Sequence, residues 1–178
     1  FKVASGDITY FPLLKAIAET KKLVYLSAGA STFDEIDVAL VILKNNDVVI
    51  LHCVPEYPST PASANNRRIL DLSERYTMVT GENKIVPIGL SSHLNEWWVD
   101  AACVIFHLYV IEKHLALVGK PGPEGGHSLD PYEFTIFVNA VRDVESAMEK
   151  RVGFTKGEVY ARENYRRHPS YWTRPLKS

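Results

Sequence analysis

The chain has 178 residues, 46% hydrophobic and 23% charged, the balance of an ordinary globular domain. With 20 basic and 21 acidic side chains the formal net charge is −1, so nothing in the charge points to nucleic acid or an anionic membrane as the main partner. The longest apolar stretch, Val99 to Ile111, is broken by Asp100 and His107 and falls short of the about 20 apolar residues that a membrane-spanning helix needs.

Taken in chain order, "FKVAS" reads as a strand with no lead-in, which predicts a piece of something longer or a processed product. A helical spacing follows in "FPLLKAIA", Phe11 to Ala18, then the strand "LVYLS". Thr32 to Leu43 is the next helix, with Thr32 and Glu35 spaced as a capping box. The strand "VVILHC" leads into "HCVPEYPSTP", a loop that holds Glu56 and Tyr57 between prolines. A helix is predicted over Ser63 to Tyr76, a strand at "IVPIGLS", a helix over Glu96 to His107 and a strand at "YVIEKH". Loops longer than about 12 residues in compact domains are commonly functional lids or disordered, and the Gly/Pro loop from Gly119 to Pro131 is one, with Glu124 and His127 as its candidate contacts. Asp130 as N-cap and Pro131 at the first helical position open a last helix towards Lys150. Residues 1–150 thus form one domain. Residues 151–178 are a basic, aromatic stretch without periodicity, read as a tail or linker rather than a binding arm. Cys53 and Cys103 lie in apolar segments and are expected as buried, reduced thiols; with no signal-peptide pattern in view, this predicts a cytoplasmic protein.

Strand and helix alternate with no hairpin-length loop between strands, which predicts βαβ units, a parallel sheet and both sheet faces covered. Each strand ends in small or polar residues: Ser5-Gly6-Asp7, Ser27-Ala28-Gly29, His52-Cys53, Ser91-Ser92-His93 and Glu112-Lys113-His114. Ligand sites of parallel α/β folds form at those ends. Within "VIEKHLAL" the side chains alternate, so Glu112 and His114 share one face and Lys113 points the other way. His93 and His114 end neighbouring strands, and two imidazoles side by side make a seat for a divalent transition metal, although a strand-end histidine taken alone is more often a satisfied polar group. His52, and His107 on an apolar helix face, read as structural; His168 reads as part of the tail. Ser5, Ser27 and Ser91, with a lysine such as Lys2, can bind a phosphate or carboxylate; singly, such small residues only permit tight turns. Trp97 and Trp98 read as packing residues.

"KVASGD", "YLSAGASTFDEI", "LHCVPEYP", "IGLSSH", "VIEKHLAL" and "KPGPEGGHSLDPYEF" stand in a fixed order, and together they resemble the barrel domain of the N-acetylneuraminate (sialic acid) synthase family from Lys2 to about Arg142. The resemblance implies a TIM-type (β/α)8 barrel, here about five βα units matching strands 4–8, and condensation of phosphoenolpyruvate with an N-acetylmannosamine-type sugar aldehyde. It implies a divalent metal, Mn2+ or Mg2+, on His93 and His114. It also implies phosphoenolpyruvate contacts from Lys2, Ser5, Ser27 and Ser91, and sugar contacts from Asp7, Tyr57 and Glu124. The chain departs from the family pattern at Ser92, Pro55, Glu124 and the His107-Leu108 pair. A complete barrel takes about 250 residues. The resemblance thus implies an essential carboxylate on three missing N-terminal βα units, and an N-terminal half-barrel chain, a second copy or a missing part of the same protein is expected to cover the open sheet edges. Two rivals stand beside this enzyme reading: a catalytically inactive fragment serving as an assembly module, and a metal-dependent lyase or aldolase acting on another sugar acid.

Overall fold

The computed structural model describes residues 1–78, 85–117 and 122–166. Five strands form one sheet: β1 (Lys2–Val3), β2 (Val24–Ser27), β3 (Val48–Cys53), β4 (Ile88–Ser92) and β5 (Ile111–Lys113). All neighbours pair in parallel, in sequence order, with Lys2 opposite Tyr25, Ser27 opposite Leu51, Cys53 opposite Ser91 and Ser91 opposite Glu112. The sheet curls into a half-barrel, and its end strands meet across the concave side, where Lys2 Nζ of β1 lies 2.9 Å from Glu112 Oε1 of β5.

The helices are α1 (Phe11–Thr20), α2 (Phe33–Ile42), α3 (Arg68–Met78), α4 (Trp97–Ala102), α5 (Pro131–Met148) and α6 (Lys156–Asn164). Alternation sorts each strand: Val3, Val24, Leu26, Val48, Ile50, Ile88 and Leu90 point outward and pack with Leu14 and Ile17 of α1, Ile36 and Ala39 of α2, and Ile69 and Leu72 of α3. The central strand β3 is buried at all six residues. That is why its sequence is an unbroken apolar run up to His52. A smaller core of Ala101, Leu129 and Phe137 joins α4 to α5.

Local sequence sets the helix ends. Thr32 and Glu35 make the expected capping box on α2, and Asp130 and Glu133 exchange the same pair of bonds at the start of α5. Two predicted helices are shorter than their periodicity implied. The one expected from Ser63 starts at Arg68 because Asn65, with φ of 45°, turns left-handed and stops the helix from reaching further back. The one expected over Glu96 to His107 is α4 followed by a 3-10 turn, Cys103–Phe106. His107 is not on a helix face: it is exposed and ends that turn at φ 57°, the conformation that favours glycine.

Residues from 149 on form a separate unit, described as far as residue 166. The stretch read as aperiodic contains α6, capped by a Thr155–Glu158 box and braced by an Arg151–Glu158 ion pair of 2.8 Å. His168 lies outside the described residues. Cys53 and Cys103 are buried free thiols. Among the described residues no helix is long and apolar enough to cross a membrane.

Candidate functional site

The inward side chains at the carboxyl ends of the strands build a polar rim in two adjoining parts. The first centres on Glu112. Its carboxylate accepts from Lys2 Nζ and from Ser91 Oγ, each at 2.9 Å. Cys53 lies among Ser91, Ser5, Lys2 and Glu112, and burial pushes its thiol above the usual range against hydrogen bonds from the two serines. Ser5 Oγ accepts from the Gly29 backbone N–H at 3.1 Å, tying the end of β1 to the turn after β2. A Cβ on Gly29 would stand 2.6 Å from that hydroxyl and 3.1 Å from the Cys53 carbonyl, so only glycine permits the approach. Ser27 is 1% exposed and its hydroxyl has no hydrogen-bond partner. A buried orphan hydroxyl costs about 1–3 kcal/mol, and an anion bound at the rim would satisfy it. Of the expected anion-binding set, Lys2, Ser5 and Ser91 gather at this end of the sheet, linked through Glu112 and Cys53, and Ser27 lies on the strand beside them. Asp7 sits on the 3-10 turn Ser5–Asp7, at the opposite end of the strand order from β4 and β5.

The second part is a cluster of imidazoles. The ring centroids of His93 and His114 lie 5.2 Å apart, so the two strand-end histidines do meet. His93 Nδ1 is 2.9 Å from the Val54 carbonyl, which only accepts; Nδ1 therefore carries the proton and Nε2 offers its lone pair. Burial lowers the pKa of His93, against that carbonyl bond, and burial followed by the nearby His127 ring lowers that of His114. Both effects favour the neutral imidazole that binds metals.

A third histidine, His127, joins them at 4.6 Å from His114 and 5.9 Å from His93. Periodicity gave no reason to place it there; its only signal was its position in the Gly/Pro loop. Leu129 brings it in, donating its N–H to the His114 carbonyl at 2.9 Å while its own carbonyl accepts from Ala116. The returning loop is thus zipped onto the strand of His114. Glu124, expected as a sugar contact, lies with its Oε2 2.7 Å from His127 Nε2 and 3.6 Å from His114 Nδ1. His114, Glu124 and His127 each present a ligand atom within 4.8 Å of the others. Tyr57 covers the cluster with its ring 4.1 Å from that of His93 and 5.1 Å from that of His127.

Lys113 points the other way, as alternation requires. It is buried at 0% exposure against the equally buried Asp100, with Nζ to Oδ2 at 2.7 Å, and it also donates to Ser92 Oγ and the Leu94 carbonyl, the residues on either side of His93. His52 is buried with Nε2 2.8 Å from the Ala64 carbonyl, a satisfied core histidine as expected. Trp97 packs against the Ala101–Leu129–Phe137 core, whereas Trp98 is 59% exposed and corrects the packing role expected of it.

Comparison with known proteins gives the family of the chain. An uncharacterized protein of Methanocaldococcus jannaschii is 37% identical over 152 residues, 83% of this chain and 43% of that protein. An N,N'-diacetyllegionaminic acid synthase of Campylobacter jejuni is 32% identical over 154 residues, covering 83% of this chain and 44% of the synthase. The crystal structure of an N-acetylneuraminic acid synthetase from Leptospira borgpetersenii superposes with a TM-score of 0.73 at 27% identity, over 94% of this chain and 58% of that one. The chain spans less than half the length of the curated relatives it matches. The sequence model of the NeuB family matches residues 1–153, and the chain belongs to that family.

Proposed function

We propose that this chain is the metal-bearing half of a sugar-acid synthase barrel, which condenses phosphoenolpyruvate with an N-acetylmannosamine-type aldehyde once further βα units complete it. The observation that carries the reading is the meeting of His93 and His114 at neighbouring strand ends, beside the polar rim that holds Lys2, Ser27 and Ser91. Lys2 and the hydroxyls of Ser5, Ser27 and Ser91 hold the phosphate and carboxylate of phosphoenolpyruvate, Lys2 exchanging its bond to Glu112 for one to the anion. Asp7 and Tyr57 face the sugar, and Glu124 stands beside the imidazoles of His114 and His127. His93 and His114 would hold a divalent ion, Mn2+ or Mg2+, which would supply Lewis acidity toward the aldehyde. His93 is held for that role by Val54, and the Lys113–Asp100 pair fixes the backbone around it. C3 of phosphoenolpyruvate attacks the aldehyde carbon, and with the uptake of water a 2-keto sugar acid and inorganic phosphate leave.

Among the described residues β1 and β5 each pair on one side only. Open parallel edges are unfavourable, and this barrel class closes with eight strands. An N-terminal half-barrel chain, or a second copy, completes the cylinder and brings the essential carboxylate. The setting is a cytoplasmic biosynthetic enzyme.

Co-expression with the N-terminal half of a NeuB-family synthase, followed by an assay of phosphate release from phosphoenolpyruvate with Mn2+ and a panel of amino-sugar aldehydes, tests this. Turnover is expected, and His93→Ala or His114→Ala is expected to abolish it. Silence with every half, aldehyde and metal would refute the reading.

A further inference from the structure

We propose that the Glu124–His127 pair is a protein-supplied arm of the metal seat, so that His114, Glu124 and His127 bind a divalent transition metal before any substrate atom enters its shell. This rests on reading the imidazole cluster as a metal centre. It goes further in assigning two ligands on the loop after β5, one of them in the place where a sugar contact was expected.

The geometry argues for it in three steps. A metal about 2.1 Å from each of two ligands allows them to be at most about 4.2 Å apart. Glu124 Oε2 already lies 2.7 Å from His127 Nε2 and 3.6 Å from His114 Nδ1, inside that limit, and the three ligand atoms all fall within 4.8 Å of one another. Small side-chain rotations close the set around one ion.

The arm is also held in register. His127 ends the 3-10 turn Gly125–His127 only two residues before Leu129, whose N–H is bonded to the His114 carbonyl. At the other end of the turn, Ser128 Oγ donates to the Glu124 carbonyl at 2.7 Å. One ligand strand and one ligand turn are therefore hydrogen-bonded into a single unit, with His127 itself only 4% exposed.

The donor set is selective. Two imidazoles and one carboxylate suit Mn2+, Co2+ or Zn2+, whereas Mg2+ prefers an all-oxygen shell and keeps its waters. The contact between His127 Nε2 and Glu124 Oε2 is a hydrogen bond of 2.7 Å; a divalent ion held by both residues would replace that proton, with the imidazole N–H then on Nδ1.

Cobalt titration of the full chain tests this, with visible absorption and calorimetry as readouts that need no turnover. The wild-type chain is expected to bind one Co2+ with d–d bands in the visible, undisturbed by a large excess of Mg2+. His127→Phe, which keeps ring packing, and Glu124→Gln, which keeps shape, are each expected to weaken binding by more than the roughly 10–100-fold cost of losing an outer-shell partner, and to change the band pattern. If both variants bind Co2+ as wild type while His93→Ala and His114→Ala do not, the arm is disproved and the two-histidine seat stands. If the arm variants lose binding and His93→Ala keeps it, the arm stands and the two-histidine seat fails. A wild-type chain that binds no Co2+ sinks both.

Discussion

Replacing Lys113 by methionine isolates the buried ion pair behind His93 and the imidazole cluster. The substitution keeps most of the side-chain volume but leaves the Asp100 carboxylate, at 0% exposure, without its ammonium, and Asp100 Oδ1 is already without a partner. Removing one partner of a buried pair costs about 3–5 kcal/mol. With a urea dependence of about 2 kcal/mol per molar, the denaturation midpoint should fall by roughly 1.5–2.5 M at pH 8. The double variant Lys113→Met/Asp100→Leu should recover most of this, because taking out both charges is close to neutral. Burial holds the Asp100 carboxyl above its usual range, with Lys113 and Ser92 pulling it down, so losing the ammonium raises it further. A carboxyl whose folded pKa exceeds its unfolded value destabilises the fold only once it ionises. That penalty is absent below about pH 3.9, grows through the folded pKa and is complete above it. The deficit of Lys113→Met should therefore be smaller at pH 5 than at pH 8. A midpoint shift below about 0.5 M at pH 8, or a double variant as weak as the single one, would refute the argument.

Gly89→Ala should destabilise by about 1–3 kcal/mol in the same denaturation assay, because its Cβ would sit 2.8 Å from the Val110 carbonyl and 2.7 Å from Leu51 in the crowded β4–β5 ladder. His107→Gly should stabilise by about 0.5–1 kcal/mol, seen as a rise of roughly 2 °C in thermal unfolding, since the residue holds a left-handed φ of 57° that glycine adopts without steric cost. Acid should weaken the fold through its buried histidines. Burial lowers the pKa of His52, so its contribution is complete above about pH 6.5 and is lost as pH falls from there through the folded value; His52→Gln should flatten that part of the midpoint-versus-pH curve between pH 7.5 and 5.5.

The architecture was legible because every level of the sequence agreed: apolar runs of strand length, helical spacing between them and polar residues at the strand ends. The same alternation that separated Glu112 and His114 from Lys113 holds in the structure, which sends the first two to the concave face and buries the third. Helix lengths were less legible. The stops at Asn65 and His107 are set by left-handed backbone at residues other than glycine, which carry no composition signal. Which candidate residues come together was legible where they lie on strands. His127 and Glu124 sit on a loop, and loop geometry is fixed by contacts distant in sequence, here the Leu129–His114 bond, that no periodicity reports. The helix after Lys156 was missed for a related reason: its stability comes from a capping box and an ion pair rather than an apolar stripe.

The Lys2–Glu112 contact joins the first and last strands through side chains alone, 110 residues apart in sequence. The curvature of the sheet is thus braced from within, edge to edge, by one side-chain contact. Were further βα units to complete the wall, as proposed above, they would meet edges already held at that curvature.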